Sequence, residues 1–142
     1  MTARYEIERM ICGALNTLQL VIGVPIVVGR TAKDRKGNYV VVNSEEEKFS
    51  TPLARVGFVE VDIISVVDLD LANAAEDSQR RIETISQFLA SEEAIDLVRD
   101  AGTPEMTTWP YALILRDSTV LKKDRSRGDS IHVSVSVGRM NS

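Results

Sequence analysis

The chain has 142 residues, 44% of them hydrophobic and 27% charged, and a formal net charge of −4. This length predicts a single domain, 1–142, whose core needs neither a metal nor a disulfide. One cysteine excludes an intramolecular disulfide, and one cysteine with one histidine excludes a zinc site of four nitrogen and sulfur ligands. The acidic balance disfavours binding of the whole chain to DNA, and no apolar stretch approaches the ~20 residues of a membrane span.

The first segment, 2–21, has the periodicity of a helix. Its apolar side chains recur every three or four residues and therefore share one helix face. These are Ile7, Met10, Ile11, Ala14, Leu15 and Leu18. Gly23 and Pro25 predict the end of this helix. Cys12 lies beside the apolar face, so we interpret it as a core residue rather than a reactive thiol.

Three strands are predicted next. The β-branched run 26–28 precedes a polar segment, 31–38, which ends in Gly-Asn and is typical of a hairpin loop, and a second apolar run, 39–42, follows. The polar segment 43–52 is interpreted as a loop or a solvated strand extension. Residues 55–67 give the clearest strand because apolar and charged side chains alternate along it.

Helices and then strands fill the second half. Residues 73–90 have an apolar stripe at helical spacing, and 92–101 predict a second, shorter helix. An apolar strand at 111–115 and an alternating strand at 131–137 enclose a polar stretch, 116–129. Strands thus occur in groups instead of alternating singly with helices. This order favours an α+β fold, a mostly antiparallel sheet with the N-terminal helix and the central helix packed on one face.

Three polar strand residues are candidates for a catalytic site. Glu60 and Asp62 point to the same side of their strand, and His132 holds a polar position of the last strand. Carboxylates near an imidazole can perform general acid–base chemistry. The chain has no Gly-x-Ser-x-Gly nucleophile motif, however. The polar face of a half-exposed sheet is therefore the favoured interpretation, and a small α+β enzyme is the alternative.

No cofactor or metal is expected from the short motifs. The glycines have neither the Walker nor the Gly-x-Gly-x-x-Gly spacing of a nucleotide site. The acids at 45–47 and 68–70 lack the spacing of a calcium-binding loop. We therefore predict no catalytic residue, no cofactor and no metal ligand.

Two charged segments contain the residues that are candidates for contact with a partner. The basic one has four cations within seven residues and could bind phosphate or an acidic partner surface. No aromatic side chain interleaves it, which disfavours stacking on single-stranded nucleic acid. A solvated loop and a nucleic-acid-binding loop are the alternatives. The candidate residues are Lys122, Lys123, Arg125 and Arg127 in the basic segment and Glu45, Glu46 and Glu47 in the acidic one.

In the order of its elements the chain resembles the phage tail-terminator, or tail-completion, family. Members begin with a helix and a hairpin and continue with a long strand like Arg55–Ile64. A central helix like Asp77–Leu89 follows, and the last strand alternates like Ile131–Val137. The resemblance covers residues 3–139 and lies in element order rather than in short motifs. The long 116–130 stretch and the second short helix at 92–101 equally suit a head–tail connector, or neck protein.

This resemblance implies a structural virion protein without enzymatic activity. Such proteins form a homo-oligomeric ring, most often a hexamer, that caps the tail tube and binds both the tail-tube protein and the neck connector. DNA only passes through the lumen of the ring, and the protein lies at the tail–neck junction of the virion after assembly in the host cytoplasm. A head-to-tail ring needs two complementary faces on each subunit, and the acidic and basic segments are compatible with that need.

Overall fold

The computed structural model describes residues 2–29 and 37–139. The helices of this part are α1 (Ala3–Asn16), α2 (Gln19–Ile22), α3 (Ala74–Leu89) and α4 (Ala94–Asp100). The strands are β1 (Ile26–Val28), β2 (Tyr39–Phe49), β3 (Val56–Asp68), β4 (Thr108–Lys123) and β5 (Ser126–Arg139). They form one sheet in the order β1-β2-β3-β5-β4, antiparallel except for the β1–β2 pair. The predicted α+β class with a mostly antiparallel sheet is confirmed.

The core lies between the helices and one face of the sheet, which we call the inner face. Val59, Val61 and Ile63 alternate along β3 and are fully buried, as the sequence pattern predicted. They belong to one apolar cluster with Ile7 of α1 and Ile85 of α3. Burying an aliphatic side chain stabilises a fold by about 1.5–3 kcal/mol, so this face holds the helices on the sheet.

The first helix ends earlier than predicted. α1 stops at Asn16, and a separate turn of helix, α2, precedes Gly23, which adopts a left-handed φ of +78°. The side chain of Thr17 donates a hydrogen bond to Ala14 O at 2.7 Å, and Asn16 Nδ2 donates to Cys12 O at 2.8 Å. Short polar side chains that bond to nearby carbonyls compete with helix continuation, which explains the break.

The predicted hairpin between the first two strands is wrong. Ile26 lies opposite Val40 and Val28 opposite Val42, so β1 and β2 run in parallel. Most of the predicted loop, 30–36, lies outside the described residues. A polar segment between two apolar runs specifies a connection but not the relative direction of the strands. Ten residues can span up to roughly 33 Å, which is long enough for the chain to return beside the three-residue β1.

The interpretation of the basic segment, 122–127, as a loop is also wrong. β4 continues to Lys123 and β5 begins at Ser126, so only a two-residue turn separates them. Asp124 in this turn has a φ of +52°, a conformation that Asp tolerates better than most residues. Strand pairing needs backbone hydrogen bonds but no apolar side chains, and a polar composition therefore does not prevent a two-stranded ribbon.

Candidate functional site

The basic segment lies at the tip of the β4–β5 hairpin. Lys122 and Lys123 are exposed on β4. Arg125 occupies the turn, where its backbone O accepts a hydrogen bond from Leu69 N at 2.7 Å and its Nη1 lies 3.5 Å from Asp70 Oδ2. The tip is thus docked beside the end of β3, and its two lysines are the cations most available to a partner.

Arg127 is engaged within the chain. Its Nε and Nη2 donate to the two carboxylate oxygens of Asp129 at 2.7 and 3.0 Å, and these bonds raise the pKa of the guanidinium. Asp129 Oδ1 also lies 2.9 Å from Ser78 Oγ of α3, which in turn is 3.1 Å from Ser65 Oγ of β3. This buried network joins the central helix to β3 and β5.

The acidic segment lies in β2, which confirms the strand-extension interpretation of these residues. A register shift between Ser44 and Glu46 shows a bulge, and a bulge redirects side chains. Glu46 is 3.5 Å from Lys48 Nζ, and Glu47 accepts a hydrogen bond from Arg4 N at 3.4 Å. Glu45 instead approaches a cluster on neighbouring strands.

The acidic and basic segments lie far apart on the same subunit. Glu46 pairs with Glu60 of β3, whereas Ser126 beside the basic tip pairs with Asp68. Eight residues along a strand correspond to about 26 Å. The two segments therefore cannot neutralise each other within one chain.

The strand register assembles a polar cluster on the sheet face opposite the core. Asp62 pairs with His132, and Glu60 pairs with Ser134. His132 Nδ1 lies 2.9 Å from Asp62 Oδ1, and its Nε2 lies 3.2 Å from Glu60 Oε2. Ser134 Oγ lies 2.8 Å from both carboxylate oxygens of Glu60. We call these four residues, together with Glu45, the outer-face cluster.

Contacts within this cluster raise the pKa values of two side chains, His132 and Glu45. Desolvation opposes protonation of His132, but its hydrogen bonds to Asp62 and Glu60 and the charges of these carboxylates outweigh desolvation and raise the pKa of the imidazole. The hydrogen bond to Asp62 raises the pKa of Glu45, and partial burial adds to that shift. Both shifts follow from the close approach of His132, Asp62, Glu60 and Glu45.

The residues of the enzyme alternative do come together. Glu60, Asp62 and His132 are in direct contact, as that alternative requires. Both imidazole nitrogens face carboxylates, and the Ser134 hydroxyl is directed to Glu60 rather than to the imidazole. Sequence reasoning named Glu45 as a candidate contact residue but missed its approach to Asp62 and His132, because that approach depends on the β2–β3 register and the bulge, which no short motif encodes.

Two buried glutamates of α1 were also missed. Glu8 Oε2 accepts hydrogen bonds from Ser44 N at 2.8 Å and Ser44 Oγ at 2.6 Å. Glu6 accepts bonds from the backbone N–H groups of Thr107 and Thr108. Each carboxylate thereby connects α1 to a strand. The sequence gives one indication of this role, since both acids lie within the predicted helix and close to its apolar face.

The fold matches a solved structure over nearly the whole of both chains. A chain from the virion of a native gene transfer agent (GTA) particle aligns with a TM-score of 0.65 and 11% sequence identity, covering 96% of this chain and 98% of that chain. At this identity the likeness shows a common fold. No protein-family model matches the sequence, and no curated protein matches it.

Among the described residues, no helix combines the length and the apolar character needed to cross a bilayer.

Proposed function

We propose that this chain is a non-enzymatic structural protein of a phage-like virion, and that within the virion it is a tail terminator. The observation that carries the proposal is the end-to-end likeness to a chain of the gene transfer agent virion, with a TM-score of 0.65. In the proposed role, copies of the chain form a ring that caps the tail tube and binds the neck connector, and DNA passes through the lumen. A head–tail connector in the same kind of particle is the alternative.

Exposed apolar side chains support self-association. One group lies near the end of the sheet where β3 begins and includes Leu53, Val56 and Tyr111, which are 91%, 61% and 51% exposed. The other lies on the β4–β5 hairpin, where Val120 and Leu121 are 54% and 73% exposed. Exposed apolar side chains at the two ends of the sheet would be covered by association with another copy. Val120 and Leu121 are consecutive strand residues, so a contact at the hairpin would use one of its two sides.

The separation of the two apolar groups suits a head-to-tail contact. Val56 begins β3, whereas Val66, ten residues on, lies opposite Gly128, which pairs with Leu121 of the hairpin. Ten residues of strand span about 33 Å. A ring joins two different surfaces of each subunit, and these two groups are on opposite ends of the sheet.

Charge supports the same arrangement. The exposed Lys122 and Lys123 lie next to Leu121 on the hairpin, and the acidic segment 45–47 lies about 26 Å away along the strand direction. Complementary charges at a contact set the orientation and the rate of association. The basic tip is proposed to contact an acidic surface of a neighbouring copy or of the tail-tube protein.

The arrangement around His132 supports the non-enzymatic part of the proposal. A mechanism that uses serine or cysteine as the nucleophile needs that hydroxyl or thiol bonded to the general base. Here the Ser134 hydroxyl is directed to Glu60, and the imidazole lies between Asp62 and Glu60. Cys12, the single cysteine, is buried on the other side of the sheet within the core.

Native mass spectrometry and negative-stain electron microscopy of the purified chain, alone and with tail tubes, test the proposal. We expect one closed oligomer, with six subunits as the favoured number, and rings at tube ends. Lys123→Glu should reduce ring formation, and Arg9→Glu, the same charge change at an exposed position of α1, should not. A monomer at every concentration that also fails to bind tube ends would contradict the proposal.

A further inference from the structure

Three potential metal ligands from three adjacent strands converge in the outer-face cluster. Glu45 of β2, Asp62 of β3 and His132 of β5 each present a ligand atom, and these atoms lie within 4.8 Å of one another. His132 Nδ1 is 2.9 Å from Asp62 Oδ1 and 4.0 Å from Glu45 Oε2. Ligands at about 2.0–2.2 Å from a tetrahedral ion are about 3.4 Å apart. Small side-chain rotations therefore bring all three atoms to one ion.

A second carboxylate orients the imidazole from its far side. Glu60 Oε2 lies 3.2 Å from His132 Nε2, and Ser134 Oγ holds Glu60 at 2.8 Å. Metal-ligating histidines usually donate their other ring N–H to a carboxylate, which fixes the tautomer and the ring orientation. A metal ion bound at Nδ1 would replace the proton that Nδ1 shares with Asp62, and Nε2 would keep its proton on Glu60. Glu60, whose side chain is only 9% exposed, is the built second partner that a random surface cluster lacks.

The site is accessible from solvent. The Glu45, Asp62 and His132 side chains are 45%, 24% and 28% exposed. This leaves an entry path for an ion and room for water in the remaining coordination positions, as in zinc sites with three protein ligands.

We propose that Glu45, Asp62 and His132 bind one divalent transition-metal ion, with Zn²⁺ as the first choice, and that Glu60 positions His132. One imidazole with two carboxylates suits Zn²⁺ better than Mg²⁺ or Ca²⁺, which prefer oxygen ligands alone. This revises the expectation of no metal ligand, because the sequence arguments excluded zinc sites made of nitrogen and sulfur and calcium loops of standard spacing, but not a site of one histidine and two carboxylates. The site is complete within one chain and is independent of the proposed virion role.

Isothermal titration calorimetry of the untagged, chelator-treated chain with Zn²⁺ tests the site. We expect one Zn²⁺ per chain and affinities for Mg²⁺ and Ca²⁺ at least tenfold weaker. Glu45→Gln should weaken zinc binding at least tenfold. Glu46→Gln, the matched change at the next residue, should leave it unchanged. Glu60→Gln should cost roughly 10–100-fold, the usual range for a second partner of a metal-bound histidine.

The imidazole gives an independent signal, since His132 is the only histidine. Equimolar Zn²⁺ should shift its ring resonances in NMR spectra of the wild type. In Glu45→Gln, whose exposed position makes unfolding by this substitution unexpected, the same shift should need at least a tenfold higher concentration of free Zn²⁺. Resonances that do not move with zinc would overturn the proposal. Zinc affinity that Glu45→Gln and Asp62→Asn both leave unchanged, or Mg²⁺ binding as tight as that of Zn²⁺, would also overturn it.

Discussion

The two faces of strands β3 and β5 are stabilised by different kinds of interaction. On the inner face, alternate residues of β3 such as Val59, Val61 and Ile63 are fully buried against the helices. On the outer face, the intervening Glu60 and Asp62 meet side chains of β5 in a polar cluster. The same thirteen-residue strand thus contributes an apolar surface to the core and a charged surface to the opposite side.

The inner face mainly determines the stability of the fold, whereas the outer face determines which polar side chains meet. Apolar burial is non-directional and depends mainly on the area removed from water, so the inner face requires only apolar residues at the correct period. The outer face depends on which residue lies opposite which, because hydrogen bonds and ion contacts operate over short distances. A shift of register by one residue would exchange the two faces, and the buried inner face therefore also fixes the polar cluster.

Adjacent isoleucines provide the most sensitive test of this contrast. Ile63 is fully buried on the inner face, whereas its neighbour Ile64 is half-buried on the outer face. Ile63→Ala should lower the free energy of unfolding by about 2–5 kcal/mol, the usual cost of a cavity in a core. Ile64→Ala should cost less than about 1.5 kcal/mol. Urea denaturation measures both, and equal losses would show that the two faces are packed alike.

The polar network on the inner face gives a smaller expected effect. Ser78 Oγ lies 2.9 Å from Asp129 Oδ1 and 3.1 Å from Ser65 O in a buried setting. Ser78→Ala should cost about 1 kcal/mol, because it removes the one hydroxyl proton that this buried network receives from α3, while Arg127 Nε still donates to Asp129 Oδ1. Ser91→Ala, which removes an exposed hydroxyl that bonds Phe88 O, is the control and should cost less. Comparable thermal shifts for the two variants would argue that the network does not anchor α3.

The smallest expected effect is on the reactivity of the Cys12 thiol, which lies in the core on the inner face. Burial is the main cause that raises the pKa of Cys12, partly offset by the hydrogen bond from Asn16. A raised pKa lowers the thiolate fraction at a given pH, and the thiolate is the reactive form. At pH 8 we expect the thiol of the native chain to react with a disulfide reagent more slowly than that of the chain in denaturant, because burial both blocks access to the sulfur and lowers its thiolate fraction. Equal rates would indicate an accessible cysteine.

Periodicity predicted the elements that bury one face. The spacing of Ile7, Ile11 and Leu15 located α1, and the alternation of Val59 and Val61 located β3, because burial repeats with the geometry of a helix or a strand. The sheet class followed from the order of these elements.

Strand direction and register were not available from the sequence. The parallel β1–β2 pair and the two-residue turn at Asp124 depend on contacts between segments distant in the chain. The same holds for the candidate site. Asp62 and His132 could each be placed at polar strand positions, but the contact of Glu45 with them depends on the bulge after Ser44. Local pattern therefore identified candidate residues without predicting their grouping.

The position of the protein in assembled particles tests the central claim most directly. Immunogold labelling and electron microscopy of phage-like particles from the cells that encode the chain would locate it. Our account predicts label at a single position, the junction between tail and neck, on intact particles. Particles without label, with the protein confined to the fractions that contain no particles, would contradict the account.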